Sequence, residues 1–256
     1  MPAADYAAAH RQEGRSVRFG WGLSGAAAMA PGADVVVVVD VLSFTTTVSV
    51  ALDAGATVLP LPPSADGAGF ARGRAAVLAA GRSRPGDGQV SLSPASMRAA
   101  ARAGQRIVLA SPNGSTISHH LAGESVCVAG CLRNARAVAG WVARPGAGSV
   151  AVLAAGERWS DGSLRPAVED LWGAGAVVAG LYDRGWHDLS VEAQVARAAY
   201  LAVIGRLQES LLDCASGREL AASGFADDVR VAAELDESTV VPVLREGAYV
   251  DGTRRA

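Results

Sequence analysis

The sequence predicts an α/β protein with three layers, α/β/α, around a mainly parallel or mixed sheet. Two observations carry the prediction. Apolar β-branched runs recur along the chain, and each leads through a short polar turn into a helix rich in small residues. The clearest of them, Val35–Val39, is five consecutive valines between Asp34 and Asp40, the continuous pattern of a strand covered on both faces. Strands that alternate with helices imply a largely parallel sheet, and such sheets take their ligands beyond the carboxyl ends of the strands.

In chain order, a short strand over 17–19 precedes Gly20-Trp21-Gly22-Leu23-Ser24-Gly25, which has the form G-x-G-x-x-G. Pro31 interrupts the next segment, and Asp34 stands too close to be the ribose-binding acid expected about 20 residues on, so dinucleotide binding is not adopted. The valine strand runs through Asp40 into a helix over 44–54, with Gly55 as its stop. The stretch 64–88, rich in Gly, Pro, Arg and Asp, reads as a helix near 69–80 followed by an exposed loop. A strand over 106–110 leads through Ser111-Pro112-Asn113-Gly114 into a helix over 115–121. Another strand, 125–129, precedes a helix over 134–142. The strand 149–154 leads through a longer loop, 156–165, into a helix over 166–181, where Pro166 suits the first turn. Asp40, Asn113 and Glu157 each fall just after a strand, which brings them towards one edge. No linker divides the chain, so residues 1–256 read as one α/β unit, and the threefold echo permits two tightly packed, similar halves.

Composition excludes several functions. Half the residues are hydrophobic, yet no uncharged run approaches the ~20 residues that cross a bilayer. The first residues mix acidic and basic side chains without an apolar core, so the expected location is the cytoplasm. Cys127, Cys131 and Cys214 fit neither a disulfide framework nor a paired C-x-x-C zinc site and read as reduced core residues. A net charge of −2 without a basic cluster argues against nucleic acid. All 23 basic residues are arginine, which lowers the information carried by any one of them. His119 and His120 adjoin, too close for the i, i+4 pair of a helical zinc site, and His10 and His187 stand alone.

The segment around Asp40 is the most informative. A buried strand that delivers a carboxylate into a turn, with Thr45, Thr46 and Thr47 at a helix start, offers a hard oxygen ligand beside hydroxyls and free backbone N–H groups. That set suits Mg²⁺ and phosphate together, although an aspartate ending a strand and threonines capping a helix account for it equally well. A haloacid-dehalogenase phosphatase would place Asp and Thr where Leu42 and Phe44 stand, which disfavours its nucleophile chemistry. Asn113-Gly114, followed by Ser115 and Thr116, is either a simple turn or a phosphate-anchoring loop. Glu169 and Asp170 fall in the first turn of a helix, where acids favour the positive end of the dipole without any catalytic duty. Adjacent helical residues point about 100° apart, so one of the pair would face the site while the other caps or meets Arg165. Asp228, beside Asp227, is expected at the surface, as most acids are, and is kept as a minor candidate for the site.

Asp40-Val41-Leu42-Ser43-Phe44-Thr45-Thr46-Thr47 resembles the Asp-Val-Leu-Arg-Ala-Thr-Thr-Thr strand end of the ComB family of Mg²⁺-dependent 2-phosphosulfolactate phosphatases. Trp21-Gly22, Asn113-Gly114-Ser115, Asn134-Ala135, Glu169-Asp170, Asp228-Val229 and Val241-Pro242 are similar in the same order, across about residues 20 to 242. The chain departs from the family at Ser43, where the family has Arg. It also reads Ala80-Gly81-Arg82-Ser83-Arg84 for Gly-Glu-Arg-Gly-Gly, and Leu92-Ser93-Pro94 for Asn-Ser-Pro. A lost arginine removes a partner for phosphate, sulfonate or carboxylate, and a lost glutamate removes a metal ligand.

The resemblance implies hydrolysis of a small anionic phosphate ester, (R)-2-phospho-3-sulfolactate, with Mg²⁺ as cofactor. It makes Asp40 a catalytic carboxylate and metal ligand, with Glu169 and Asp170 supporting the metal. Thr45, Thr46, Thr47, Asn113, Gly114, Ser115 and Asn134 would surround the phosphate, and Arg133, Arg158 and Arg165 are candidates for a second anionic group. Two alternatives stay open: a phosphatase of this fold with another substrate, and an anion-binding homologue without catalysis. A homo-oligomer is compatible with either.

Overall fold

Each of the four β-branched runs is a strand in the computed structural model, which describes residues 6–82, 89–123 and 125–254. The order is α1 (Tyr6–His10), β1 (Val17–Trp21), α2 (Gly22–Met29), β2 (Val35–Val39), α3 (Phe44–Asp53), β3 (Thr57–Leu61), α4 (Gly67–Arg72), β4 (Val77–Leu78), α5 (Pro94–Ala100), β5 (Arg106–Ala110), α6 (Gly114–His120) and β6 (Val126–Gly130). Next come α7 (Ala135–Val142), β7 (Val150–Ala154), the hairpin β8 (Glu157–Arg158) and β9 (Leu164–Arg165), and α8 (Val168–Tyr182). Four helices, α9 (Val191–Leu201), α10 (Leu207–Asp213), α11 (Ala215–Ala222) and α12 (Ala226–Ala232), precede the closing hairpin β10 (Pro242–Arg245) and β11 (Ala248–Asp251).

Among the described residues nine strands form one mixed sheet in the order β1-β7-β2-β6-β10-β11-β3-β5-β4. The first four are mutually parallel, as are the last three, and the β10–β11 hairpin joins the blocks by single antiparallel pairings, Val243 with Val128 and Tyr249 with Val58. Helices cover both faces, giving the three layers. Val35, Val37 and Val39 enter one core with α7 to α12, whereas Val36 and Val38 enter the other with α2, α3, α5 and α6.

A strand of valines alone has no polar face to set its register, so the flanking aspartates set it. At one end Asp34 Oδ2 accepts the amides of Gly148 and Ser149 at 2.8 and 2.9 Å. At the other, Asp40 accepts the amide of Phe44 at 3.1 Å. The two parallel blocks run in opposite senses, yet the carboxyl ends of β2 and β5 meet. Twist of roughly 20–25° per strand, accumulated over the steps between them, turns one end towards the other.

One predicted element is shorter than expected. The helix foreseen over 69–80 stops at Arg72, and Val77–Leu78 pairs instead with Ile107–Val108 as the edge strand β4. Gly67, Gly69 and Gly73 weaken the helix, and backbone pairing to β5 wins over continuing it. Residues 83–88 of the expected exposed loop lie outside the described residues. The cysteines are free and buried, as the composition implied. His187 does have a neighbour, meeting the Tyr182 ring edge-on at 4.5 Å. Among the described residues no helix is long and apolar enough to cross a membrane.

Candidate active site

The site is built where β2, β5 and β7 end. Asp40 leaves β2 into a turn locked by Thr45, whose hydroxyl accepts the Asp40 amide at 2.9 Å and donates to the Asp40 carbonyl at 2.8 Å. The Thr46 hydroxyl donates to the Val41 carbonyl and that of Thr47 to the Leu92 carbonyl, both at 2.8 Å. All three threonines are fully buried with these hydroxyls engaged, so they shape the turn that aims Asp40. The Asp40 carboxylate is gripped from two helix starts. Its Oδ1 accepts the Phe44 amide of α3, and its Oδ2 accepts the Gly114 amide of α6 at 2.8 Å. Gly114 has to be glycine, since a Cβ there would lie 2.6 Å from Asp40 Oδ2 and 2.6 Å from the Phe44 ring. The Ser115 hydroxyl is occupied by the carbonyls of Leu61 and Ser111 and by the Ser111 amide.

Asn113 and Glu157 meet as their strand-end positions foretold, the side-chain amide donating to Glu157 Oε2 at 2.8 Å. Arg158, exposed on the same hairpin, donates to the Pro112 and Gly162 carbonyls at 3.2 Å and so ties the hairpin to the β5–α6 turn. Beside them lies a cleft of about 330 Å³ lined by Asn113, Glu157 and Arg158 and by the apolar side chains of Trp21, Leu23, Ile117 and Leu164.

Glu169 and Asp170 both turn inwards at the start of α8. Asp170 spans two strand ends, accepting the Val41 amide at 2.7 Å and the Gly156 amide at 2.8 Å. Glu169 is buried and receives the Cys214 thiol at 3.6 Å. The expectation that one of the pair would cap or meet Arg165 is therefore corrected. Arg165 instead donates to the Ser216 hydroxyl and lies beside the Trp159 ring.

Four carboxylates thus share one buried neighbourhood. Burial pushes the Asp40 carboxyl upward against the pull of the Phe44 and Gly114 amides and of Arg82. Burial, then the charges of Asp40 and Glu169, raise Asp170 well above the usual range. Glu157 is pushed up to about 7 by burial and then by Asp40. Such an excess of buried negative charge fits a divalent cation. Among the described residues no three ligating side chains converge on one point, so an ion here would take one or two carboxylates and complete its shell with substrate and water, the habit of Mg²⁺.

Sequence reasoning passed over one cation and misplaced one acid. Arg82, in the segment read as altered, donates from Nη2 to the Ser43 hydroxyl at 2.5 Å, and its charge acts on Asp40. Asp228 is not a surface group. It is 1% exposed, held through Oδ1 by the Ser93 hydroxyl at 2.5 Å and the Ala95 amide at 3.2 Å, with Arg82 Nε 3.4 Å from Oδ2. The signal available was the Asp228-Val229 match, outweighed by the general exposure of acids.

Two sequence candidates sit apart from this group. The Arg133 guanidinium is buried between Asp53, Glu234 and the Ser49 hydroxyl. Asn134 is also buried, its side chain accepting the Cys131 amide at 2.8 Å and donating to the Ala129 and Val240 carbonyls. Their polar atoms hold the β6–α7 turn together.

Buried acids at converging strand ends, with an arginine nearby and a cleft alongside, are an arrangement suited to an α/β enzyme that handles a small charged ligand. The model of the 2-phosphosulpholactate phosphatase family matches residues 26–247. A Thermus thermophilus protein named probable 2-phosphosulfolactate phosphatase is 33% identical over 216 residues, covering 83% of this chain and 88% of its own. A Deinococcus radiodurans protein of the same name is 32% identical over 221 residues, covering 84% and 89%. The chain belongs to the 2-phosphosulfolactate phosphatase family and is a phosphoric monoester hydrolase.

Proposed function

We propose that this enzyme hydrolyses (R)-2-phospho-3-sulfolactate to 3-sulfolactate and phosphate and requires Mg²⁺. The observation that carries the reading is the Asp40 carboxylate, buried and held by the Phe44 and Gly114 amides in the field of Glu169, Asp170 and Glu157. Asp40 and Glu169 would hold the ion, which supplies neutralising charge to the phosphoryl oxygens. Asp170 joins the Val41 and Gly156 amides and so fixes the strand ends that carry the site. Glu157, at the cleft and held by Asn113, would pass a proton to the departing alkoxide oxygen; burial, the largest cause of its upward shift, acts whether or not an ion neutralises Asp40 and Glu169. The Asn113 side chain orients Glu157, and the Gly114 amide and Ser111 keep Asp40 in place. The family of the matching relatives supports the substrate, and the three buried free thiols support a reducing cytoplasm.

The test is phosphate release from (R)-2-phospho-3-sulfolactate with Mg²⁺ and with EDTA, for the wild type and Asp40→Asn. Turnover that needs the metal and drops by roughly 10²-fold or more in the variant is expected, the scale of losing a group that stabilises transition-state charge. Folded wild-type protein that releases phosphate equally well in EDTA would defeat the metal assignment. Release from other phosphorylated acids but not from this one would move the substrate.

A further inference from the structure

Arg82 and Asp228 approach one another without closing a hydrogen bond. Arg82 Nε lies 3.4 Å from Asp228 Oδ2, and neither atom has a hydrogen-bond partner among the described residues. The far side of the Asp228 carboxylate is anchored by the Ser93 hydroxyl and the Ala95 amide, so the carboxylate is fixed. Among the described residues the guanidinium makes one further hydrogen bond, from Nη2 to the Ser43 hydroxyl, and lies over the Phe225 ring at 6.0 Å; its side chain is 19% exposed against 1% for Asp228. A guanidinium has five N–H donors, and this one leaves several uncommitted in a place that solvent reaches. Leaving a buried charge short of its partner is costly, and the unspent donors are available to an anion. Hydrogen bonds of this kind are often long before the ligand arrives.

The two sides of Asp40 also differ. Its Oδ2 faces the Gly114 turn, where Asn113 leads to Glu157, whereas its Oδ1 faces Phe44, next to Ser43 and hence to Arg82. Glu157 stands on the first side, and Arg82 with its partner Asp228 stands on the second. A 2-phospho acid has that polarity, carrying its carboxylate on the carbon that bears the ester oxygen. We propose that Arg82 binds the acid group of the substrate and that Asp228, with Ser43, is the positioning residue that aims it. The inference deepens the phosphatase reading and rests on it.

The experiment compares 2-phospholactate with p-nitrophenyl phosphate, which has no acid group, for wild type, Arg82→Gln and Asp228→Asn. Thermal melting checks each fold. On 2-phospholactate both variants should raise KM by roughly 10- to 100-fold, the worth of a charge-assisted hydrogen bond, with kcat little changed. On p-nitrophenyl phosphate kcat/KM should fall much less, by no more than the loss of the Arg82 charge from the field at Asp40. Equal losses on both esters would overturn the assignment, as would a loss in Arg82→Gln that Asp228→Asn does not share. If Asp228→Asn fails to fold, Ser93→Ala, which frees the far side of that carboxylate, should show the same rise in KM. If the wild type cleaves only 2-phospholactate, the KM-against-kcat split decides. If it cleaves neither ester, the phosphatase reading stands or falls on (R)-2-phospho-3-sulfolactate alone, and calorimetric binding of 3-sulfolactate decides the inference: weaker binding in Arg82→Gln supports it and unchanged binding ends it.

Discussion

Asp170 joins two strand ends, its Oδ1 accepting the amide of Val41 after β2 and its Oδ2 that of Gly156 after β7. The side chain is 3% exposed, so neither amide has water to fall back on. An unsatisfied buried donor costs about 1–3 kcal/mol. Asp170→Ala, which abandons both, should therefore lose about 2–5 kcal/mol in urea unfolding, and Asp170→Asn, which keeps one acceptor, about half that. An Asp170→Ala protein as stable as the wild type would show that the two amides find other partners.

Gly114 gives a second prediction. A methyl group there would press on the Asp40 carboxylate and the Phe44 ring at once. Neither can retreat, because Phe44 is fully buried and Asp40 is held at both oxygens. Gly114→Ala should cost about 1–3 kcal/mol, as overpacking does, and should lower kcat more than KM. Unchanged stability and turnover would mean that the α6 turn yields.

Glu157 sets a pH dependence. Its carboxyl is raised from 4.5 to about 7, first by burial and then by Asp40. A raised carboxylic acid favours the folded state while protonated, so its contribution is complete below about 4.5 and is lost as pH rises towards about 7. In EDTA the wild type should melt at a higher temperature at pH 5.5 than at pH 8, and Glu157→Gln should narrow the difference. Asp40, Asp170 and Asp228 are raised as well and act with the same sign, so some difference should remain. An unaltered difference in Glu157→Gln would remove that residue from the account.

Metal addition gives the opposite slope. A divalent cation bound among the acids stabilises the folded state in proportion to ln(1 + [L]/Kd), about 2.7 kcal/mol at a hundredfold excess over Kd. Mg²⁺ should therefore raise the melting temperature more at pH 8, where the carboxylates are ionised, than at pH 5.5. Asp40→Asn should blunt the increase. Equal stabilisation at both pH values would argue for a site elsewhere.

Much of the architecture was legible because it depends on local pattern. Five valines between two aspartates are a strand in any α/β context, and its burial between helices on both faces of the sheet followed from the lack of a polar face. Asp40, Asn113 and Glu157 converge because strand ends converge. The helix foreseen over 69–80 failed for a non-local reason, the pairing of Val77–Leu78 with β5. The sequence leaves Thr45 to Thr47 as hydroxyls for a ligand or as helix caps, and it does not show that the carbonyls of Asp40, Val41 and Leu92 take them. Arg133 was indistinguishable from any other arginine until Asp53 and Glu234, far away in sequence, were seen to enclose it.

By itself the sequence determined the fold class, the doubly covered valine strand, the turn that presents Asp40 and the family, all written in periodicity and in short ordered motifs. Only the tertiary structure decided which polar groups are spent on holding the chain together and which remain for chemistry. Asp170 and Thr45 to Thr47 fall among the former, whereas Arg82 and Glu157 fall among the latter. The reason is physical: a side chain's hydrogen-bonding capacity is consumed by whichever partner the fold brings within about 3 Å, and those partners come from segments that no local pattern connects.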